Sequence, residues 1–240
     1  MRLSALLFAS TVLTASLIAA DIPADYSNPQ NISDVISRYQ KAQVTQREAL
    51  RGTQMDEEIS ASIPKLEKHG KLNVLRMISK VGINRFEQIG QFIGDKTVFN
   101  EVIKRYLQIE EKGRENGSMA ISPENYKFKI NAIVTQNSQT TYIFDITPKR
   151  KADGLFKGKL WLDGATAMPL KEKGQFVKNP SVLLKSVKFE RDYDLQDGVA
   201  VPRHIESIAD VRVFGKAELI ANFSNLKRQD NDESVTDNGR

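Results

Sequence analysis

The sequence predicts a mainly β fold of the α+β class. It should form one large, curved antiparallel sheet, open or half-closed as a barrel, with helices covering its concave face. Three observations carry this. Roughly ten segments alternate apolar and polar residues and are punctuated by tight turn signals. Only two stretches show helical spacing, one ahead of the strands and one inserted among them. Strands joined by short turns pair antiparallel, and a sheet with one apolar face must bury it by closing on itself or by being covered.

The chain of 240 residues opens with Met1-Arg2 and then runs from Leu3 to Ala20 without a charge, ending in Ala19-Ala20 before Asp21. This pattern reads as a secretory signal peptide over residues 1–20, cleaved after Ala20. Residues 21–226 are expected to form a single domain. The polar remainder, 227–240, lacks the apolar content needed to fold and is expected to be disordered.

Within the domain, residues 21–30 carry Pro23 and Pro29 and read as an extended lead-in. From Ser33, the positions Val35, Ile36, Tyr39, Ala42, Val44 and Leu50 suit a loosely amphipathic helix. Past Gly52 the period falls to two, with Met55, Ile59, Ala61 and Ile63 alternating with polar residues as in a half-buried strand. Lys68-His69-Gly70 is read as a turn into a second strand, and Gly82 as a turn into a third. Gly94-Asp95 opens a second helix. Val98, Val102 and Tyr106 lie on one stripe of it, and Gly113 follows its end. The rest is strand. Phe128, Ile130, Ala132 and Val134 form one inward row, Tyr142, Phe144 and Ile146 the next, and Phe156, Leu160 and Leu162 a third. Asn137-Ser138, Asp163-Gly164 and Asp197-Gly198 are turn signals, the last a strong hairpin pair.

Composition removes much chemistry. There is no cysteine, and there are two histidines, so disulfides, thiol nucleophiles and Cys-zinc sites are excluded and a His-based centre has little material. Lys and Arg number 35 against 30 Asp and Glu, a net charge of +5 that is too modest to indicate nucleic acid. Gly154 to Leu160 resembles a phosphate loop but has one residue too few between its glycines and Leu160 where a Ser/Thr is needed. Asp192 to Arg203 departs from a calcium loop in its glycine position and lacks the closing Glu. His204-Ile205-Glu206 lacks the cysteines that a zinc deaminase requires. No catalytic residue, metal or cofactor is expected. A denser basic patch, Lys127, Lys129, Lys149, Arg150, Lys151, Lys157 and Lys159, alternates with Phe128 and Phe156. The aromatics should therefore face inward, whereas a nucleic-acid surface needs them beside the lysines, and export makes acidic lipid headgroups the better-suited partner.

The stretch Tyr142-Ile-Phe-Asp-Ile-Thr-Pro148 is followed by Phe156-Lys-Gly-Lys-Leu-Trp-Leu-Asp163 with Thr166 and Pro169. Val187-Lys-Phe-Glu-Arg-Asp-Tyr193 then leads to Asp197-Gly198 and Val201-Pro202. These segments resemble the bacterial outer-membrane lipoprotein-sorting (LolA-like) superfamily. That resemblance implies a periplasmic protein whose curved sheet encloses an apolar cavity for acyl chains under a helical lid. Lys80-Val-Gly-Ile-Asn-Arg-Phe86 stands where the lipoprotein carriers have an Arg-Pro and aromatic-Arg-Trp stretch, so neither their lid arginine nor their cargo is carried over. The candidate cavity lining is Val74, Ile78, Phe128, Ile130, Tyr142, Phe144, Leu160, Leu162, Val187 and Phe189, each of which suits an ordinary packed core equally well. Val98, Val102 and Tyr106 are the candidate lid. The expected partners are lipid or lipoprotein acyl chains, with an anionic membrane surface or a periplasmic protein as further candidates. The competing expectation is a periplasmic interaction or sensor module with a filled core and a partner-binding rim.

Overall fold

The computed structural model describes residues 29–112, 119–179 and 181–229. The expected signal peptide and all but the first three residues of the expected tail lie outside the described residues. Helix α1 spans Pro29–Leu50, so Pro29 opens a helix where an extended lead-in was expected. Proline is tolerated in a first turn, where its missing N–H has no partner to lose.

Ten strands form one antiparallel sheet: β1 (Thr53–Ile63), β2 (Lys68–Ile78), β3 (Asn84–Gly94), β4 (Tyr126–Gln136), β5 (Gln139–Pro148), β6 (Phe156–Asp163), β7 (Pro169–Phe176), β8 (Leu184–Gln196), β9 (Val199–Val211) and β10 (Gly215–Arg228). Their order is β3-β2-β1-β10-β9-β8-β7-β6-β5-β4, so β1 pairs with β10 while β3 and β4 are free edges. The sheet is open. Between those edges in sequence run α2 (Lys96–Val98), a π-helical turn (Phe99–Ile103) and α3 (Lys104–Lys112).

The turn chemistry is local and mostly as expected. Asn137 and Ser138 both take left-handed conformations between β4 and β5, as do Asp197 and Gly198 between β8 and β9. Asp95 caps α2 by accepting the Thr97 amide at 2.7 Å. The first hairpin turns earlier than Lys68-His69-Gly70, however. Pro64–Leu66 form a short 3₁₀ turn and Glu67 is left-handed, so 68–70 already belong to β2. Pro64 cannot donate to a ladder, and its fixed φ starts the turn instead. At the other end of the domain, β10 continues two residues into the expected tail. Gln229 then donates its amide to the Gly52 carbonyl at 2.9 Å.

One inward row changes face partway. Ile130 pairs with Phe144, but Ala132 pairs with Ile143, leaving Asn131 as an extra residue in a β-bulge. Alternation is reset there, so Ile133 is buried at 6% exposure and Val134 points outward at 46%. Elsewhere Gly158 and Gly174 sit directly opposite one another on β6 and β7. A Cβ on Gly158 would collide with the Lys173 carbonyl and the Gly174 Cα, so only glycine allows these strands to approach so closely.

The helices cover one face. Val35 and Tyr39 of α1 pack with Tyr126, Phe144, Leu160 and Leu162 over β4–β6. Val98 and Ile103 pack with Met55, Ile59, Val74 and Ile78 over β1 and β2. The β6–β7 turn is organised by Asp163, 3% exposed, which accepts the Thr166 amide and hydroxyl at 2.7 Å each and the Gln139 amide at 3.4 Å. Burial alone would raise the Asp163 carboxyl, but the hydrogen bonds from Thr166 outweigh it and hold it below the ordinary Asp value. Asp163→Ala should cost about 1.5–3 kcal/mol, because it removes the hydrogen bonds to a charged carboxylate that organise this turn. A group held low stabilises above the ordinary Asp value and loses that contribution as pH falls through the lowered value. Urea denaturation at neutral and acid pH should therefore show the wild-type advantage shrinking with acid.

Candidate functional site: an apolar cavity beside a buried charge cluster

Between the two helical covers, over β7–β10, the sheet is not filled. A cavity of about 340 Å³ lies there, within the range of small-molecule sites though toward its lower end. Its walls are Phe156, Phe176, Leu184, Val187, Phe189, Ile205, Ala209, Val211, Ala217 and Leu219 from the sheet. Tyr39, Gln43 and Gln46 of α1 close one side, and Val102, Tyr106 and Ile109 of the second helical segment close another. Phe189 stacks on Phe176 with ring centroids 5.3 Å apart and meets Phe156 edge-on at 4.8 Å. These three rings form a continuous aromatic wall.

Of the residues expected to line the cavity, Val187 and Phe189 do so, and so do Val102 and Tyr106 of the expected lid. The others stand elsewhere. Val74 and Ile78 are buried at 1% and 4% exposure in the core beneath the second helical segment, and Val98 is fully buried with them. Tyr142, Phe144, Leu160 and Leu162 are buried against α1, with Phe128 and Ile130 half-buried beside them. Alternation identifies the face that turns inward, but it does not say where a helix fills the space above that face. The basic patch faces outward, with Lys127, Lys129, Lys149, Arg150, Lys151 and Lys157 exposed and Phe156 turned into the core. Lys159 pairs with Asp145 at 3.3 Å.

Charged residues that sequence reasoning missed stand beside the cavity, with Glu110, Glu172 and Arg191 among its lining. Glu110 of α3 bridges two arginines, accepting from Arg76 of β2 and Arg191 of β8 at 2.9 Å each. Arg76 also lies 3.7 Å from Glu57, whose other oxygen accepts the Tyr106 hydroxyl at 2.7 Å. Arg191 lies 3.9 Å from Glu172, which accepts the Tyr193 hydroxyl at 3.1 Å. The Arg76 side chain is 1% exposed and its guanidinium sits 5.4 Å from the Phe86 ring and 5.6 Å from that of Phe223.

Their protonation follows from burial and neighbours. Burial opposes the charge of both arginines, but Glu110 foremost outweighs it, so Arg76 is held above its ordinary value and Arg191 well above. Burial pushes the Glu57 carboxyl up, only partly offset by Arg76 and the Tyr106 hydroxyl. Burial also raises the Tyr106 hydroxyl well above its ordinary value. The sequence did carry a signal for this cluster. Glu57 is in phase with Met55 and Ile59, and Arg76 with Val74 and Ile78, so opposite charges occupy inward positions on paired strands. Among the described residues, no group of three or more His, Asp or Glu side chains is placed to hold a metal ion.

No model of a known protein family matches the chain, and no curated protein matches it in sequence. Solved structures similar to it include a LolA superfamily protein from Nitrosomonas europaea, at 12% identity and a TM-score of 0.38, over 82% of this chain and 93% of that one. A candidate outer membrane lipoprotein-sorting protein domain from Vibrio parahaemolyticus is similar at 16% identity and a TM-score of 0.42, over 85% and 96%. The MucA/MucB complex of Pseudomonas aeruginosa is similar at 9% identity and a TM-score of 0.28, over 79% and 93%. These are likenesses of fold alone, and the first two carry the name of the superfamily that residues 142–202 resemble.

Proposed function

We propose that this chain is an exported bacterial carrier that holds a lipid acyl chain in the cavity between its helices and sheet, by burial and without covalent chemistry. The observation that carries the reading is the cavity itself. It is open space between the helices and the sheet, lined largely by aromatic and aliphatic side chains. Each methylene moved from water into such walls contributes about 0.8 kcal/mol, so a sixteen-carbon chain brings roughly 12 kcal/mol before ordering costs. Export to the periplasm is supported by the charge-free segment 3–20 behind Arg2. Among the described residues, no helix is long and apolar enough to cross a membrane.

Mass spectrometry of solvent-extracted protein should find a co-purifying acyl lipid, and delipidated protein should bind a fluorescent fatty-acid probe that the extracted lipid displaces. Protein that carries no lipid and, once delipidated, ignores the probe would overturn the proposal.

A further inference from the structure

At the end of the sheet where the Pro64–Leu66 3₁₀ turn lies, several connections converge. The β9–β10 turn is tied to the β7–β8 connection. The Arg212 amide donates to the Leu183 carbonyl at 2.9 Å, and its guanidinium Nε donates to the Val182 carbonyl at 3.0 Å. The β7–β8 connection is tied in turn to residues 149–155, through Val177 to Leu155 and Lys178 to Asp153. On the two connections joined by Arg212, aliphatic side chains point into solvent. Val182 is 87% exposed and Val213 73%, with Leu183 beside them at 37%. Holding such groups in water is unfavourable, and here the backbone fixes them side by side.

The surroundings of these tips are basic. Residues 149–155, 177–185 and 210–216 together contain seven Lys or Arg and two Asp, and one of those aspartates, Asp153, is paired with Lys178. Immediately inside the tips, the next residues along both strands, Leu184 and Val211, are walls of the cavity. Residues of the cavity wall therefore adjoin the exposed tips on both connections.

We propose that this rim docks onto an anionic lipid surface, with Val182, Leu183 and Val213 entering the interface and the surrounding lysines and arginines meeting phosphate headgroups. Shallow aliphatic insertion ringed by cations is the chemistry that peripheral membrane contacts use. A docked rim places the cavity wall against the bilayer, so an acyl chain can pass between them without crossing water. This last step rests on the acyl-carrier reading, whereas docking itself does not.

Vesicle co-sedimentation tests docking, using equimolar phosphatidylglycerol and phosphatidylcholine against phosphatidylcholine alone. Wild-type protein is expected to bind the anionic vesicles and to be released by salt. The double variant Val182→Asp, Val213→Asp should lose at least about tenfold in partitioning, since two aliphatic insertions are replaced by like-charged repulsion. Lys185→Gln with Lys216→Gln should weaken binding several-fold and reduce its salt dependence. All four positions are exposed, so thermal melting should be unchanged, and each protein carries the same N-terminus. Wild-type protein that ignores anionic vesicles, including one retained instead by a protein partner, overturns the proposal, as does a Val182→Asp, Val213→Asp variant that binds as wild type. Probe binding in solution reads the cavity separately. A variant that keeps probe affinity but loses vesicle binding therefore isolates the rim, and loss of probe binding by wild type counts against the carrier reading alone.

Discussion

Arg76→Met is expected to destabilise the fold by about 3–5 kcal/mol, the cost of removing one partner from a buried ion pair. Arg76 is 1% exposed, with Glu57 near one terminal guanidinium nitrogen and Glu110 near the other. Methionine replaces the apolar stem and keeps some contact with Phe86 and Phe223, but it leaves the buried Glu57 without its nearest cation, while Glu110 retains Arg191. Urea denaturation should show the loss as a lower midpoint with an unchanged slope. Glu57→Gln is the informative companion. A carboxyl whose folded value is raised favours the folded chain below the ordinary Glu value, and that contribution is lost as pH rises through the raised value. Wild-type stability minus that of Glu57→Gln should therefore fall across this window. A difference that stays flat would mean that burial does not raise the Glu57 carboxyl.

Ala209→Phe is expected to lower affinity for a fluorescent fatty-acid probe by at least tenfold while leaving the fold intact. Ala209 lies on the cavity wall of β9, opposite Val187 of β8. A phenyl ring there projects into open space, so the overpacking that costs about 1–3 kcal/mol in a filled core should be avoided. Ile78→Ala supplies the contrast. Ile78 is buried in the core at 4% exposure, away from the cavity, so truncation should cost about 2–5 kcal/mol and leave probe affinity near wild type. Equal probe affinity in Ala209→Phe and wild type would place the ligand elsewhere.

The fold was legible where local chemistry decides it. Asn137-Ser138 and Asp197-Gly198 demanded left-handed backbone and so fixed two hairpins, and Asp95 announced a helix. The strand count followed from the period of two. The bulge at Asn131 was not legible, because a single inserted residue leaves the same apolar letters in place and only the pairing with β5 reveals the reset. The cavity was half legible for a different reason. Every inward row looks alike in sequence, and only the paths of α1 and α3 determine that β4–β6 are filled while β7–β10 are not. The charge cluster was visible in phase, at Glu57 and Arg76, but its meaning required Glu110, which arrives from a helix distant in sequence.

The pairing of β1 with β10 also governs when the sheet can be completed. Thr53 faces Arg228 and Ser62 faces Glu218, so this ladder joins the first strand to the last. Such sequence-distant pairing slows folding, because chain entropy must be spent before the contacts return it. During synthesis the first three strands emerge with β1 still an unsealed edge, and the residues that will cover it come last. The chain thus remains open along that edge, accessible to proteins that grip extended polypeptide, until its final strand is available to dock.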